Sequence, residues 1–204
     1  MKISIRTSLT LLFVMTALFA SRSTSLAQTP ATSRKTPRGE FALQYHYVRS
    51  NAPPDGCTCF NLNGGGGTFA WQVKTGSLAL VGDASVTRAT AISSNKFDLV
   101  MATFLGGARY TPHWRLAHGT VQPFAEAMAG IAHASGSLVT GQNPSVSNAG
   151  ASFAGLGGGG LDMTVTPRVS FRLIEADYLP TTFKNSVNDH QNNLRLSAGV
   201  VLKF

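Results

Sequence analysis

The last eleven residues read Leu194-Arg195-Leu196-Ser197-Ala198-Gly199-Val200-Val201-Leu202-Lys203-Phe204, and their pattern decides the fold. Leu194, Leu196, Ala198, Val200, Leu202 and Phe204 place an apolar group at every second position. Between them Arg195, Ser197, Gly199, Val201 and Lys203 are mostly polar or small. A period of two sustained over this length is a β-strand with one apolar and one polar face. A soluble sandwich strand can alternate similarly, but it rarely ends its chain on an aromatic residue.

Working outward, seven further segments carry the same signal. Glu40–Val48 sets Phe41, Leu43, Tyr45 and Tyr47 against Glu40, Gln44 and His46. Gly67–Val73 sets Phe69, Trp71 and Val73 against Thr68, Ala70 and Gln72, and the tight turn 74–77 leads into Leu78–Ala84. Phe97–Tyr110 follows, with its alternation blurred by glycine. In Val121–His133, Gln122, Glu126 and Met128 oppose Pro123, Ala125, Ala127, Ala129 and Ile131. In Ala151–Val165, Asp162 and Thr164 face away from Leu161, Met163 and Val165, and a second tight turn, 166–168, precedes Val169–Leu179.

Long connections (49–66, 85–96, 134–150, 180–191) alternate with shorter ones (74–77, 111–120, 166–168). That rhythm fits an up-and-down barrel with short turns at one end and longer loops at the other. In hydrocarbon every unpaired backbone group costs several kcal/mol, so strands cross a membrane only as a closed barrel. The sequence therefore predicts an all-β fold, an eight-stranded antiparallel up-and-down transmembrane β-barrel. Its apolar faces would meet outer-membrane lipid and its polar faces would fill the lumen. Trp71, Tyr110, Trp114 and Phe204 would form one aromatic girdle, and Tyr47 and Tyr178 the other.

Composition agrees with this class. With 43% hydrophobic residues the chain is not disordered, and with only two cysteines it is not a disulfide-built miniprotein. Scattered apolar residues argue against a helical bundle. The formal charge of +8 could suggest a nucleic-acid binder, but Lys2, Arg6 and Arg22 lie in a removable N-terminus and no nucleic-acid partner is expected. Lys2 and Arg6, the apolar run 9–20 and the small residues of Ser25-Leu26-Ala27 form a secretory signal at 1–27. A Thr- and Pro-rich leader follows at 28–37, and one barrel domain is expected from 38 to 204.

The signal peptide, the eight segments and the terminal Val200-x-Leu202-x-Phe204 together give the chain a resemblance to a known group. It resembles the small OmpA-like outer-membrane β-barrel proteins, without a peptidoglycan-binding domain. The resemblance implies that Val200, Leu202 and Phe204 act as an assembly signal for the barrel-assembly machinery, with periplasmic chaperones as further partners during biogenesis. It also implies a bacterial outer-membrane location with both termini periplasmic. The expected role is non-enzymatic: envelope integrity, and binding of an unidentified extracellular partner through loops 49–66 and 134–150.

Several motifs admit sharper readings. Gly155-Leu156-Gly157-Gly158-Gly159-Gly160, with Glu175 beyond it, matches a dinucleotide fingerprint, but Phe153, Leu161 and Met163 continue a strand period where a helix would be needed. Gly64–Gly67 reads as the flexible end of the first long loop. Cys57 and Cys59 cannot complete a tetrahedral zinc site, so an oxidised loop disulfide is expected, either within the chain or between chains. Glu40, Asp83, Glu126, Asp162, Arg172, Arg195 and Lys203 fall on the inward phase and should pair as buried ions in a plugged lumen. A gated ion path is the sharper alternative. Glu175 and Asp177 lie out of phase with Arg172, so either a bulge shifts the register there or both sit at the outer rim.

His133-Ala134-Ser135 resembles the His-x-Ser pair of lipid A-deacylating barrels, but no acidic residue lies between Glu126 and Asp162 to complete it. No catalytic residue, cofactor or metal is expected. A lipid A-modifying enzyme is the second reading and a secreted lipocalin-like barrel the third. In the third, Tyr45, Val200 and Leu202 would be exposed to water.

Overall fold

The computed structural model describes residues 38–50, 59–73, 76–92, 97–137, 150–183 and 190–204. They form eight antiparallel strands closed into a barrel, with each strand bonded to its sequence neighbour. The strands are β1 (Gly39–Ser50), β2 (Phe60–Gln72), β3 (Leu78–Ile92), β4 (Phe97–Tyr110), β5 (Val121–Ser137), β6 (Gly150–Thr166), β7 (Val169–Thr181) and β8 (Gln191–Lys203). β8 pairs with β1 from Glu40↔Lys203 to Ser50↔Asn193, so the sheet has no free edge. At the seam, Arg38 and Gly39 donate to the Phe204 carbonyl, and Phe204 N–H donates to Gly39.

The predicted fold class and phase hold in the segments that carry clear alternation. In β1, Phe41, Leu43 and Tyr45 are exposed while Ala42, Gln44 and His46 are buried. In β8, Leu194, Val200 and Leu202 are exposed while Arg195 and Ser197 are buried. The outer surface continues through Leu80, Val86, Phe104, Ile131 and Phe153, an apolar belt that water would not favour.

Strand lengths differ from the sequence reading. β2 begins at Phe60, so Gly64–Gly67 belongs to a paired strand and not to a loop end. β3 runs on to Ile92, which takes up most of the connection expected at 85–96. Glycine has no side chain to alternate, and a strand rising beyond an apolar belt needs no outward apolar residue, so the period-two signal stops before the hydrogen bonding does. Gly66 shows the packing reason for that composition: a Cβ there would lie 2.7 Å from His46 Nε2 and 2.6 Å from the Ala84 carbonyl. The inward His46 occupies the room that glycine leaves.

The end of the barrel where β1 begins and β8 ends, its terminal end, is closed by compact turns. Thr166 Oγ1 accepts from Val169 N–H at 3.0 Å across the β6–β7 turn. The longer 111–120 connection is organised by a one-turn 3₁₀ helix at Ala117–Gly119 and a Leu116↔Val121 bridge, with Gln122 Nε2 donating to the Pro112 carbonyl at 2.7 Å.

A barrel with its seam paired along eleven register positions resists detergent. Unboiled protein should therefore migrate differently from boiled protein on a denaturing gel. Identical migration of a folded sample would contradict closure.

Candidate functional site

The lumen is the most elaborated part of the molecule. Its charged residues sit in the middle and toward the end where β1 begins and β8 ends, while Val48, Leu62, Met101, Met128, Leu156 and Leu179 belong to a buried apolar cluster. The inner face is therefore not uniformly polar. The apolar cluster adds a plug of side chains to the charged layer.

Two arginines organise the charge. Arg195 on β8 reaches across the lumen to Asp83 on β3 (3.0 Å) and also bonds Asp177 (3.0 Å) and Glu175 (3.3 Å) on β7. Arg172 forks onto both oxygens of Asp162 at 2.9 and 3.2 Å and reaches Glu175 at 2.6 Å. Glu175 thus joins the two guanidinium groups, and it also accepts from Gln44 Nε2 at 2.7 Å. Thr68 donates to Gln44 at 2.7 Å and lies 3.1 Å from Asp83, which ties β1, β2 and β3 into the same network. Arg172, Glu175, Asp177 and Arg195 are each at most 1% exposed. Fork-shaped guanidinium groups suit this role because each offers several fixed donors to carboxylates.

A second group lies nearer the terminal end. Arg109 on β4 bonds Glu126 through Nε at 2.8 Å and approaches Glu40 at 3.6 Å, while Lys203 lies 3.8 Å from the same Glu40. The inward Phe124 ring contacts both groups, with the Arg109 and Arg172 guanidinium carbons 4.5 and 4.3 Å from its centroid. Stacking of guanidinium on an aromatic face is favourable and strengthens where water is excluded.

All seven charges assigned to the interior from sequence take part in these contacts: Glu40, Asp83, Glu126, Asp162, Arg172, Arg195 and Lys203. Arg109 was not assigned from sequence, because glycines blur the alternation of β4. Glu175 and Asp177 lie inside and not at the rim. A register shift between Arg172 and Glu175 lets Leu173 and Ile174 both face outward, which moves the next odd-numbered residues into the lumen. Two adjacent apolar residues inside an alternating strand are the sequence signal for that bulge.

The remaining positions are spread over the surface. Phe204 stands in an aromatic group with Phe69, which also stacks on Trp71, both pairs having centroids 6.4 Å apart. Trp71, Tyr110, Trp114 and Phe204 are exposed near the terminal end, and Tyr178 is exposed toward the other. Tyr47 is half-buried, and it is Tyr45 that projects outward and donates to Asn63 at 2.7 Å. Val200 and Leu202 are exposed on β8. Cys59 is exposed just ahead of β2, while Cys57 and the stretches 51–58 and 138–149 of the two long connections lie outside the described residues. His133 is exposed, and its cross-strand neighbours are Ala102 and Ala151.

No protein-family model matches the sequence, and neither does any curated protein. Solved structures do match. Neisserial surface protein A superposes with a TM-score of 0.59 at 18% identity, over 81% of this chain and 97% of that one. Ail, the attachment invasion locus protein of Yersinia pestis, superposes with a TM-score of 0.51 at 18% identity, over 82% and 99%. The fold is that of the small outer-membrane β-barrels. Within such a barrel the charged lumen is a cross-brace, because Arg195 alone links β8, β7 and β3.

Truncating Arg195 to leucine would strand Asp83, Asp177 and Glu175 without their shared cation. The expected loss is about 3–5 kcal/mol, as for other broken buried pairs. Arg88→Ala, which breaks the solvent-exposed pair with Asp98, should cost about 0–1 kcal/mol. Urea unfolding in lipid vesicles measures both, and equal losses would contradict the brace.

Proposed function

We propose that this protein resides in the bacterial outer membrane and acts there by structure and surface contact, without catalysing a reaction or passing bulk solute. The observation that carries this reading is an apolar outer belt wrapped around a lumen filled with ion-paired side chains. An eight-stranded barrel is only wide enough for side chains to fill it, and here they do. The likeness to Neisserial surface protein A and to Ail, whose name refers to attachment and invasion, supports the membrane setting and a contact role. The secretory signal at 1–27 supports export, with both chain termini on the periplasmic side and loops 49–66 and 134–150 directed outward to meet a partner. Catalysis at His133 and Ser135 is disfavoured because the residues paired with His133 are alanines, not acids.

Assembly is read from Val200, Leu202 and Phe204. Transfer of the outward Phe204 ring from water into lipid is worth at most about 1–3 kcal/mol, a loss the barrel would survive. If recognition by the assembly machinery is the larger role, Phe204→Ala should be degraded before reaching the outer membrane, while Phe204→Tyr should reach normal levels. Normal outer-membrane levels of Phe204→Ala would contradict the signal. For the contact role, deleting the gene should change surface adhesion and detergent sensitivity, and a strain unchanged in both would overturn it.

A further inference from the structure

Three lumenal carboxylates, each already bonded to at least one arginine, also converge on one point. Glu126 on β5 pairs with Gly158 on β6, and Gly158 pairs with Asp177 on β7, so the three share one row across neighbouring strands. Gly158 lets the Asp177 carboxylate lie close over the β6 backbone, since a Cβ there would lie 2.3 Å from Asp177 Oδ1 and 2.3 Å from the Ala176 carbonyl oxygen. Glu126 and Asp177 are at most 5% exposed, yet among the described residues Glu126 Oε1 and Asp177 Oδ1 have no hydrogen-bond partner. One ligand atom each from Glu126, Glu175 and Asp177 lies within 4.8 Å of the others.

We propose that the lumen binds one divalent, calcium-sized cation between Glu126, Glu175 and Asp177, over Gly158. The charge balance argues for a divalent ion. Among the described residues, six lumenal carboxylates (Glu40, Asp83, Glu126, Asp162, Glu175 and Asp177) face four cations (Arg109, Arg172, Arg195 and Lys203), with His46 counted as neutral. The excess of two negative charges is what one such ion neutralises. The arginines cannot be redeployed to do so, because Arg172 is committed to Asp162 and Glu175, Arg195 to Asp83, Glu175 and the Oδ2 of Asp177, and Arg109 to the Oε2 of Glu126.

An all-oxygen donor set selects a hard cation over zinc or copper. Calcium takes oxygens at about 2.3–2.6 Å in flexible geometry, so it spans the observed spread more readily than magnesium, which needs about 2.0–2.1 Å and holds its waters. Entry would be from the end where β1 begins and β8 ends, where Glu40 keeps 20% of its side chain in solvent.

The test uses the mature chain folded in detergent free of lipopolysaccharide, so that no lipid phosphate can bind the metal. After chelation, calcium chloride is added, loosely bound ion is removed by desalting, and metal content and thermal unfolding are measured. The expected result is about one calcium per chain, with a saturable rise in the unfolding midpoint that magnesium reproduces only weakly. Glu126→Gln and Asp177→Asn, singly and together, should abolish both effects in protein whose gel mobility shows it to be folded. Should the double variant not fold, the calcium content of the wild-type protein and of Glu126→Gln still decides the matter. Absence of calcium from the wild-type protein, or full retention of the shift in the variants, would overturn the site. A wild-type protein that binds no metal while the variants gain stability would instead assign the excess charge to protons.

Discussion

Every backbone donor and acceptor at the seam between β1 and β8 depends on a single pairing, from Glu40↔Lys203 to Ser50↔Asn193. A sheet that stopped at either strand would present a row of open hydrogen-bonding groups beside an apolar surface, where each costs several kcal/mol. Closure removes that cost and fixes a narrow interior. A narrow interior in turn fixes what the inward residues can be, because long side chains from opposite walls must meet. Arg195 reaching Asp83 across the lumen is the direct consequence.

The lumen and the outer belt reverse the arrangement of a soluble protein. The largest fully buried side chains include Arg172 and Arg195, while Leu43, Leu80 and Phe104 stand exposed. Buried charge is costly, and pairing offsets the cost only when geometry is good and the remaining donors are used. Here one arginine contacts three carboxylates and the other forks onto Asp162, with Phe124 stacked against it. Such a network stabilises modestly but discriminates strongly, since a strand slipped by one residue would put its charges into the outer belt and its apolar residues into the lumen.

Alternation made β8, β1 and the inward phase of seven charged residues legible, because a strand with lipid-like and lumenal faces must alternate. It failed where the physics is local. Glycine carries no hydropathy, so the Gly64–Gly67 run hid half of β2, and glycines in β4 hid Arg109. The bulge around Leu173 and Ile174 reversed the phase of Glu175 and Asp177, which strict counting places outside. The meeting of Glu126 and Asp177 over Gly158 depends on register between three strands, and no single-strand pattern contains that.

The central claim is that the outward face of the barrel contacts lipid and not water. It is tested most directly by spin labels on single cysteines introduced at Leu43, Phe104, Ile131 and Ala198, with Cys57 and Cys59 replaced by serine, in protein folded into lipid vesicles. These positions lie on four different strands and all face outward. Each label should be strongly accessible to oxygen, which dissolves in the bilayer, and shielded from a water-soluble nickel complex. Labels at these positions that are open to nickel would place the apolar belt in water and contradict the membrane barrel.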